Sequence, residues 1–177
     1  MSTTAEPELH YLEYYEEFLA KVRLLACRIV ESEWQPEFVI GVGRGGLVPG
    51  VYLSHQLQLP MLSIDHSSRV PGFADELLAK VAAMSAAGNR LLFVDDINDS
   101  GGTITTIRKL LHGSGCSDGN LRFAVLINNR GSKATVDYWA DMIDRAEDKR
   151  WFVFPWEAVG RTDAIVDEAQ SVPERLA

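Results

Sequence analysis

Four short apolar runs, each adjoining segments with helical periodicity, constrain the fold of this 177-residue chain most strongly. The runs are Phe38–Val42, Met61–Asp65, Leu91–Asp96 and Leu121–Asn128. Apolar spacings of three or four predict helices over Tyr11–Glu33, Leu47–Leu57, Ala74–Ala87 and Thr103–His112. Strands that are apolar on both sides and alternate with helices predict an α/β fold, in which a mostly parallel sheet is covered by helices on both faces.

Composition and charge narrow the classes of function. The chain has 17 basic and 25 acidic residues, a net charge of −8, so we expect no nucleic-acid partner, because neutralising phosphates needs clustered Lys and Arg. No apolar run approaches the ~20 residues of a membrane span. We expect no membrane partner and a cytoplasmic location. The two cysteines, Cys27 and Cys116, are too few for a disulfide framework, and we expect both to be reduced.

The segment LLFVDDINDSGGT, Leu91–Thr103, carries the most specific chemistry. A strand delivers Asp95 and Asp96 at its carboxyl end, and Asp99 then leads into a Ser-Gly-Gly-Thr turn that enters a helix. The glycines and the helix N-terminus form an anion cradle. Carboxylates beside an anion are reasonable if they hold sugar hydroxyls and a Mg²⁺ ion that neutralises a diphosphate. The segment therefore predicts a site for 5-phosphoribosyl-1-diphosphate (PRPP); a capped turn with solvated acids explains single residues, but not the whole run.

A second glycine-rich segment, GVGRGG at Gly41–Gly46, follows the first apolar run. It matches G-x-G-x-x-G, and Asp65 ends the next strand nineteen residues later, as in dinucleotide-binding (Rossmann-type) proteins. That interpretation leaves the Leu91–Thr103 segment without a purpose, and the chain has little room for a substrate domain. Arg44 within the glycines instead suits the oxygens of a diphosphate.

Together these segments resemble the type I phosphoribosyltransferases, and most nearly the bacterial and archaeal xanthine-guanine (hypoxanthine) enzymes. LLFVDDINDSGGT looks like the PRPP motif of that family, and Gly41–Leu57 resembles its diphosphate loop and the helix that follows. WFVFPWE, Trp151–Glu157, is similar to its aromatic, purine-binding hood. The resemblance implies the type I phosphoribosyltransferase fold, as one domain over residues 1–177, with a core at about 9–130 and a small hood and C-terminal segment at about 131–177.

The resemblance also implies a reaction in which a nucleobase and PRPP give a nucleoside 5′-monophosphate and diphosphate, with Mg²⁺ as cofactor and purine salvage as the role. It assigns the catalytic positions to Asp95, Asp96 and Asp99, the first two also holding ribose hydroxyls and the metal. The other assigned positions bind the 5-phosphate (Asp99, Ser100, Gly101, Gly102, Thr103), the diphosphate (Arg44, Gly45, Gly46) and the base (Trp151, Phe152, Asn129). A mobile loop is expected within Ser67–Arg90, with Arg69 or Lys80 reaching the diphosphate.

The chain departs from this family at Asn129, where the 6-oxopurine enzymes place a lysine that donates to the 6-oxygen of the base. An asparagine amide can donate or accept, so the position does not by itself demand a 6-oxo group. Asn128 and Asn129 also suit a turn that ends a strand. Two alternatives therefore stay open: transfer to another base or amine, and a non-catalytic protein that senses PRPP or a nucleotide. Because members of this family tend to form dimers or tetramers, the resemblance implies a homodimer or homotetramer.

Overall fold

A computed structural model describes residues 7–12, 15–64 and 73–171 of the chain. The elements in chain order are β1 (Leu9–Tyr11), α1 (Tyr15–Glu31), β2 (Phe38–Val42), α2 (Gly43–Leu57), β3 (Met61–Ile64), α3 (Phe73–Ala86), β4 (Leu91–Asn98), α4 (Gly102–Gly113), β5 (Leu121–Asn129), β6 (Tyr138–Ile143), β7 (Trp151–Val153) and α5 (Thr162–Gln170). A single 3₁₀ turn, Asp118–Asn120, precedes β5. No helix among these described residues is long and apolar enough to cross a membrane.

Five parallel strands form the main sheet in the order β3-β2-β4-β5-β6. Leu92 and Val94 of β4 pack in one core with α1 and α2, whereas Leu91 and Phe93 pack in a second core with α3 and α4. All four side chains are fully buried, as expected for a strand covered on both faces. The predicted α/β class, with a parallel sheet between two helical layers, is confirmed.

The strand order places a crevice at the carboxyl ends of β2 and β4. From β2 the chain passes to β3 on one side, and the next strand, β4, pairs on the other side of β2. In an open α/β sheet, ligands bind where the order reverses in this way. The pairing between β2 and β4 ends at Gly41 and Val94. The last four residues of β4 therefore have no pairing with β2, and this end of the strand pairs with β5 alone.

Helix α2 begins earlier than the sequence predicts. It starts at Gly43, so Gly43–Gly46 form its first turn, and Gly43 has a φ of 52° that favours glycine. Pro49 consequently lies inside the helix, beyond its first turn. Because proline has no N–H, the Gly45 carbonyl lacks its usual donor four residues later in the helix.

The C-terminal part of the chain contains more regular structure than the sequence predicts. The sequence predicts no strand between Asn128 and Trp151, but β6 lies in that interval and forms the edge of the main sheet. Of WFVFPWE, only Trp151–Val153 is a strand, and it pairs with β1 in a separate two-stranded sheet rather than with the main sheet. Helix α5 and strand β1 were not predicted.

Candidate active site

A cavity of about 560 Å³ opens beyond the carboxyl ends of β2 and β4. That volume lies within the range of ligand pockets. Of the thirteen positions singled out in the sequence, eight line it: Arg44, Gly45, Asp95, Asp96, Asp99, Thr103, Trp151 and Phe152. Three others, Gly46, Ser100 and Gly102, adjoin lining residues in the chain, and Gly101 lies between the last two. The fold thus brings together three segments that are far apart in the sequence.

The first turn of α2 and the end of β4 are in direct contact. A Cβ atom added to Gly45 would lie 2.2 Å from Oδ2 of Asp96, and one added to Gly46 would lie 2.0 Å from the Val94 carbonyl oxygen. Real Cβ contacts are essentially never this short, so Gly46, which faces backbone, needs glycine, and a Cβ at Gly45 would displace the Asp96 side chain. Glycine at these two positions therefore lets the Asp96 carboxylate lie against the backbone that carries Arg44.

Asp95 and Asp96 are adjacent, partly buried carboxylates. Strand β4 continues to Asn98, so they do not lie after its end, yet both line the cavity because β2 no longer pairs alongside them. Burial, and secondly the charge of Asp96, raise the pKa of Asp95 well above its ordinary value. The two negative carboxylates repel each other, and a hard divalent cation bound between their oxygen atoms would remove this repulsion.

The turn after β4 is held from behind by the segment that follows β5. Gly101 has a φ of 85°, and a Cβ there would lie 2.5 Å from the Ala134 backbone nitrogen. The buried Asn98 donates to the Ala134 carbonyl (2.8 Å) and to Oδ1 of Asn128 (2.7 Å), and accepts from the Ser132 hydroxyl (2.9 Å). The turn that presents Ser100 to the solvent is therefore fixed without a ligand.

Arg145, which the sequence did not single out, makes an ion pair with Asp99. Its Nη2 lies 2.7 Å from Oδ2 and its Nε 3.0 Å from Oδ1 of that carboxylate, a bidentate arrangement. The Nη1 atom donates to the carbonyls of Asp148 (3.2 Å) and Arg150 (2.6 Å), and the guanidinium carbon lies 5.1 Å from the centre of the Phe152 ring. Asp99 thus enters the cavity with a cationic partner already in place.

Asn129 is buried and does not line the cavity. Its amide nitrogen donates to the Asp99 carbonyl (3.1 Å), and its amide oxygen accepts from the backbone N–H groups of Gly131 (3.1 Å) and Arg145 (3.2 Å). Asn129 therefore joins the turn after β4 to the segment that carries Arg145. In this structure, its polar atoms are directed at the backbone rather than at the cavity.

Aromatic side chains form another part of the cavity wall. Trp151 and Phe152 lie on β7, and the Phe152 ring meets the His10 ring of β1 edge to face at 5.4 Å. Trp156 stacks on Phe154 with centroids 5.0 Å apart, and both line the cavity. The Trp156 indole nitrogen is buried and has no hydrogen-bond partner among the residues that the structure describes.

A carboxylate from the C-terminal segment also reaches the cavity. The pKa of Glu157 is raised above its ordinary value, mainly by burial and to a lesser extent by the charge of Glu168 on α5. The hydrogen bond from the Phe154 N–H (3.0 Å) and the charge of Arg44 offset part of this rise. Glu157 ends the segment WFVFPWE, although the sequence assigned it no role. No local pattern in the sequence points to Arg145, because its partner Asp99 lies in a distant part of the chain.

Several positions considered in the sequence do not join this cluster. Asp65, the acid of the dinucleotide pattern, and Arg69 lie outside the described residues. Lys80 is exposed on α3 and does not line the cavity. Cys27 is exposed and Cys116 half-buried, and both are free thiols.

Comparison with known proteins agrees with this architecture. Residues 10–159 match the family model described as "Phosphoribosyl transferase domain". The xanthine-guanine phosphoribosyltransferase of Idiomarina loihiensis is 30% identical over 151 residues, which cover 81% of this chain and 84% of that protein. The structure of a purine phosphoribosyltransferase from Pyrococcus horikoshii is 26% identical with a TM-score of 0.63, covering 84% of this chain and 93% of that one. A Neisseria gonorrhoeae protein with bound ppGpp, 20% identical, shares the fold with a TM-score of 0.64 over 97% of this chain and 98% of its own.

Proposed function

The chain belongs to the phosphoribosyltransferase family, and from this premise we propose that it transfers the 5-phosphoribosyl group of PRPP to a purine base in a Mg²⁺-dependent reaction. The products are a nucleoside 5′-monophosphate and diphosphate. The proximity of Asp96 to Gly45 carries the proposal, because it brings the first turn of α2 beside the paired acids of β4 in one cavity that aromatic side chains also line. Family membership and the names of the relatives support the purine.

The 5-phosphate is assigned to the turn from Ser100 to Thr103. This turn ends in the N-terminus of the twelve-residue helix α4, whose partial positive charge attracts an anion. Ser100 is exposed and Thr103 half-buried, so both hydroxyls are near enough to the surface to meet a phosphate. The hydrogen bonds of Asn98 fix the backbone of this turn, which reduces the ordering that binding requires.

The diphosphate is assigned to Arg44 and to the backbone of Gly45 and Gly46, with Mg²⁺ held by Asp95 and Asp96. The raised pKa of Asp95 supports this placement, since a cation would offset the repulsion between the two carboxylates. Mg²⁺ commonly binds through one or two carboxylates together with water and substrate phosphates. When bound, it would supply positive charge against the leaving diphosphate.

The base is assigned to the space between Trp151, Phe152 and Asp99, with the Trp151 ring stacking on its face. Asp99 would accept a hydrogen bond from a ring N–H, and Arg145 would fix the carboxylate for that contact. A base-binding role for Asn129 would act through this pair, because its amide is bonded to the backbone of Asp99 and Arg145.

The chemistry follows from this arrangement. As the bond between C1 of the ribose and the diphosphate breaks, positive charge develops on the sugar and negative charge on the leaving group. Arg44 and the amides of α2 stabilise the leaving group, while the carboxylates of Asp95 and Asp96 hold the ribose. The base nitrogen forms the new bond to C1, and its proton passes to Asp99 or to solvent. The enclosing aromatic wall limits attack by water.

A screen of nucleobases with PRPP and Mg²⁺, in which nucleotide and diphosphate are both measured, tests this proposal. We expect product from guanine, xanthine or hypoxanthine. Product only from adenine would keep a purine as the acceptor but exclude a preference for 6-oxopurines, and product only from a non-purine base would contradict the purine acceptor. Absence of product with every base would contradict the proposal.

Nucleotide binding without transfer is a second candidate function. The observation in its favour is the bidentate ion pair, because Arg145 already occupies both oxygens of the acid that would face the base. The bound ppGpp of the Neisseria protein shows that a protein of this fold can hold a guanosine nucleotide. The same screen separates transfer from binding alone, because a protein that only binds would hold PRPP or a nucleotide tightly without forming product.

A further inference from the structure

The C-terminal end of α4, opposite the proposed phosphate site, carries three side chains of metal-binding type. His112 lies in the last turn of the helix, Cys116 in the turn that follows, and Asp118 at the start of the 3₁₀ turn. The His112 Nε2 atom lies 3.2 Å and the Cys116 Sγ atom 3.7 Å from the same oxygen, Oδ1 of Asp118. Among the residues that the structure describes, this is the one group of at least three His, Cys, Asp or Glu side chains whose ligand atoms all lie within 4.8 Å of one another.

These separations are those of ligands around one ion. Zinc takes nitrogen, sulfur and oxygen ligands at about 2.0 to 2.3 Å in a tetrahedron, so neighbouring ligand atoms lie roughly 3.3 to 3.6 Å apart. The two measured separations, 3.2 and 3.7 Å, are close to those values. We propose that His112, Cys116 and Asp118 form a surface site for a divalent cation of the Zn²⁺ class, with water as the fourth ligand.

The backbone that carries the ligands is fixed by a buried side chain. Ser85 is fully buried, and its hydroxyl donates to the Ser117 carbonyl (2.9 Å) and accepts from the Ser117 N–H (3.1 Å). Asn120 donates to the Ser85 carbonyl at 2.9 Å. Ser117 lies between two of the ligands, so Cys116 and Asp118 are held in place before an ion arrives, which lowers the entropic cost of binding.

The helix end and the turn favour a cation as well. Gly115, with a φ of 80°, allows the chain to turn back so that the Cys116 N–H reaches the Leu111 carbonyl at 3.1 Å. The partial negative charge at the C-terminus of α4 attracts positive charge. The side chains of His112 and Asp118 are 51% and 68% exposed, so an ion can reach them from solution.

The donor set distinguishes this site from the acids of the cavity. Mg²⁺ prefers oxygen ligands and binds thiolate and imidazole poorly, whereas Zn²⁺ accepts all three donors present here. The proposal is independent of the transferase activity. A contact between the three side chains without any ion is the alternative that the experiment must exclude.

Titration of the reduced, metal-free full chain with Co²⁺ tests the site, because a thiolate bound to cobalt gives a charge-transfer absorption that oxygen ligands do not. We expect this band to saturate at one equivalent, to disappear on addition of Zn²⁺ and to resist excess Mg²⁺. Cys116→Ser should abolish it, and His112→Gln and Asp118→Asn should each weaken Co²⁺ binding by at least the ~10-fold that even outer-shell changes cause. Cys27→Ser is the matched control and should leave the titration unchanged.

A second measurement uses the unaltered protein. Zn²⁺ should slow alkylation of the Cys116 thiol, followed by mass spectrometry, while alkylation of Cys27 keeps its rate. Absence of the cobalt band, its persistence in Cys116→Ser, or equal alkylation of Cys116 with and without Zn²⁺ would overturn the proposal.

Discussion

The carboxylate of Asp99 and the guanidinium of Arg145 are both largely buried, with 4% and 12% of each side chain exposed. Removing one partner of a buried ion pair takes away the charge that neutralises the other in a medium that solvates charges poorly. We therefore expect Arg145→Met to lower the free energy of unfolding by about 3 kcal/mol. Chemical denaturation of the variant measures this loss.

A double variant separates the ion pair from simple packing. In Arg145→Met with Asp99→Leu no charge is left unpaired, so we expect part of the lost stability to return. The matched control is Arg161→Met, because Arg161 pairs with Asp163 at the surface, where such pairs contribute little. Equal stability of Arg145→Met and the unaltered chain would contradict the account of Asp99.

We expect the Asp95 carboxylate to lower the stability of the fold while being needed for turnover. Its raised pKa means that the ionised carboxylate destabilises the fold at neutral pH. That cost is absent below the unfolded pKa of about 3.9, where the group is protonated in both states, and it grows as the pH rises towards the folded pKa. Asp95→Asn should therefore raise the Tm at pH 7 in the presence of EDTA, with a difference that shrinks on acidification, while turnover is lost.

The control for Asp95 is Asp167→Asn, which alters an exposed acid on α5 and should not change the Tm in this way. Addition of Mg²⁺ should also raise the Tm of the unaltered chain more than it raises the Tm of the Asp95→Asn variant. A Tm that is lower in Asp95→Asn than in the unaltered chain at pH 7 would show that the carboxylate is a stabilising group.

At the scale of elements, the first turn of α2 and the end of β4 act as one unit. Gly45→Ala would force the Asp96 carboxylate to move, because the new Cβ lies 2.2 Å from it. A displacement of about 1 Å in a catalytic site can cost ~100-fold in rate, and we expect a loss of that order in kcat/KM for PRPP. Gly113→Ala at the end of α4, where a Cβ meets nothing within 4 Å, is the control and should leave the rate unchanged.

The pairing of β1 with β7 supports the aromatic wall from the opposite end of the chain. The Trp151 N–H donates to the Glu8 carbonyl (2.8 Å), and the Leu12 N–H donates to the Val153 carbonyl (2.9 Å). We expect a chain that starts at Leu12 to have a higher KM for the purine, with PRPP binding nearly unchanged. Steady-state kinetics with each substrate varied measures this, and equal loss for both substrates would mean that β1 supports the whole fold instead.

The same elements show what the sequence can predict. The strand, turn and helix from Leu91 to Gly113 depend on local periodicity and on glycines whose conformations are required there, so they were predicted closely. Strands β1 and β7 have three residues each, which is too short to show an alternating pattern, and β1 pairs with β7 from the other end of the chain. Arg145 lies 46 residues from Asp99 in a charged segment, and nothing in its own neighbourhood indicates the acid that it meets.

At the scale of the whole molecule, the sheet brings the proposed site residues together by aligning the carboxyl ends of its strands. Arg44 follows β2, Asp95 and Asp96 lie in the last half of β4 and Asp99 follows it, Asn129 ends β5, and Arg145 follows β6. The hood adds Trp151 and completes the cavity. This arrangement explains why segments that are far apart in the sequence form one site. A single reaction that needs all of them therefore tests the proposed function directly.

That test is the stoichiometry of one reaction mixture, in which the chain receives PRPP, Mg²⁺ and labelled guanine, and labelled nucleotide and diphosphate are followed together. The account predicts equal amounts of the two products, and a loss of both in Asp96→Asn without a lower Tm. Diphosphate release without nucleotide, or PRPP that is bound but never consumed with guanine or any other purine, would contradict it.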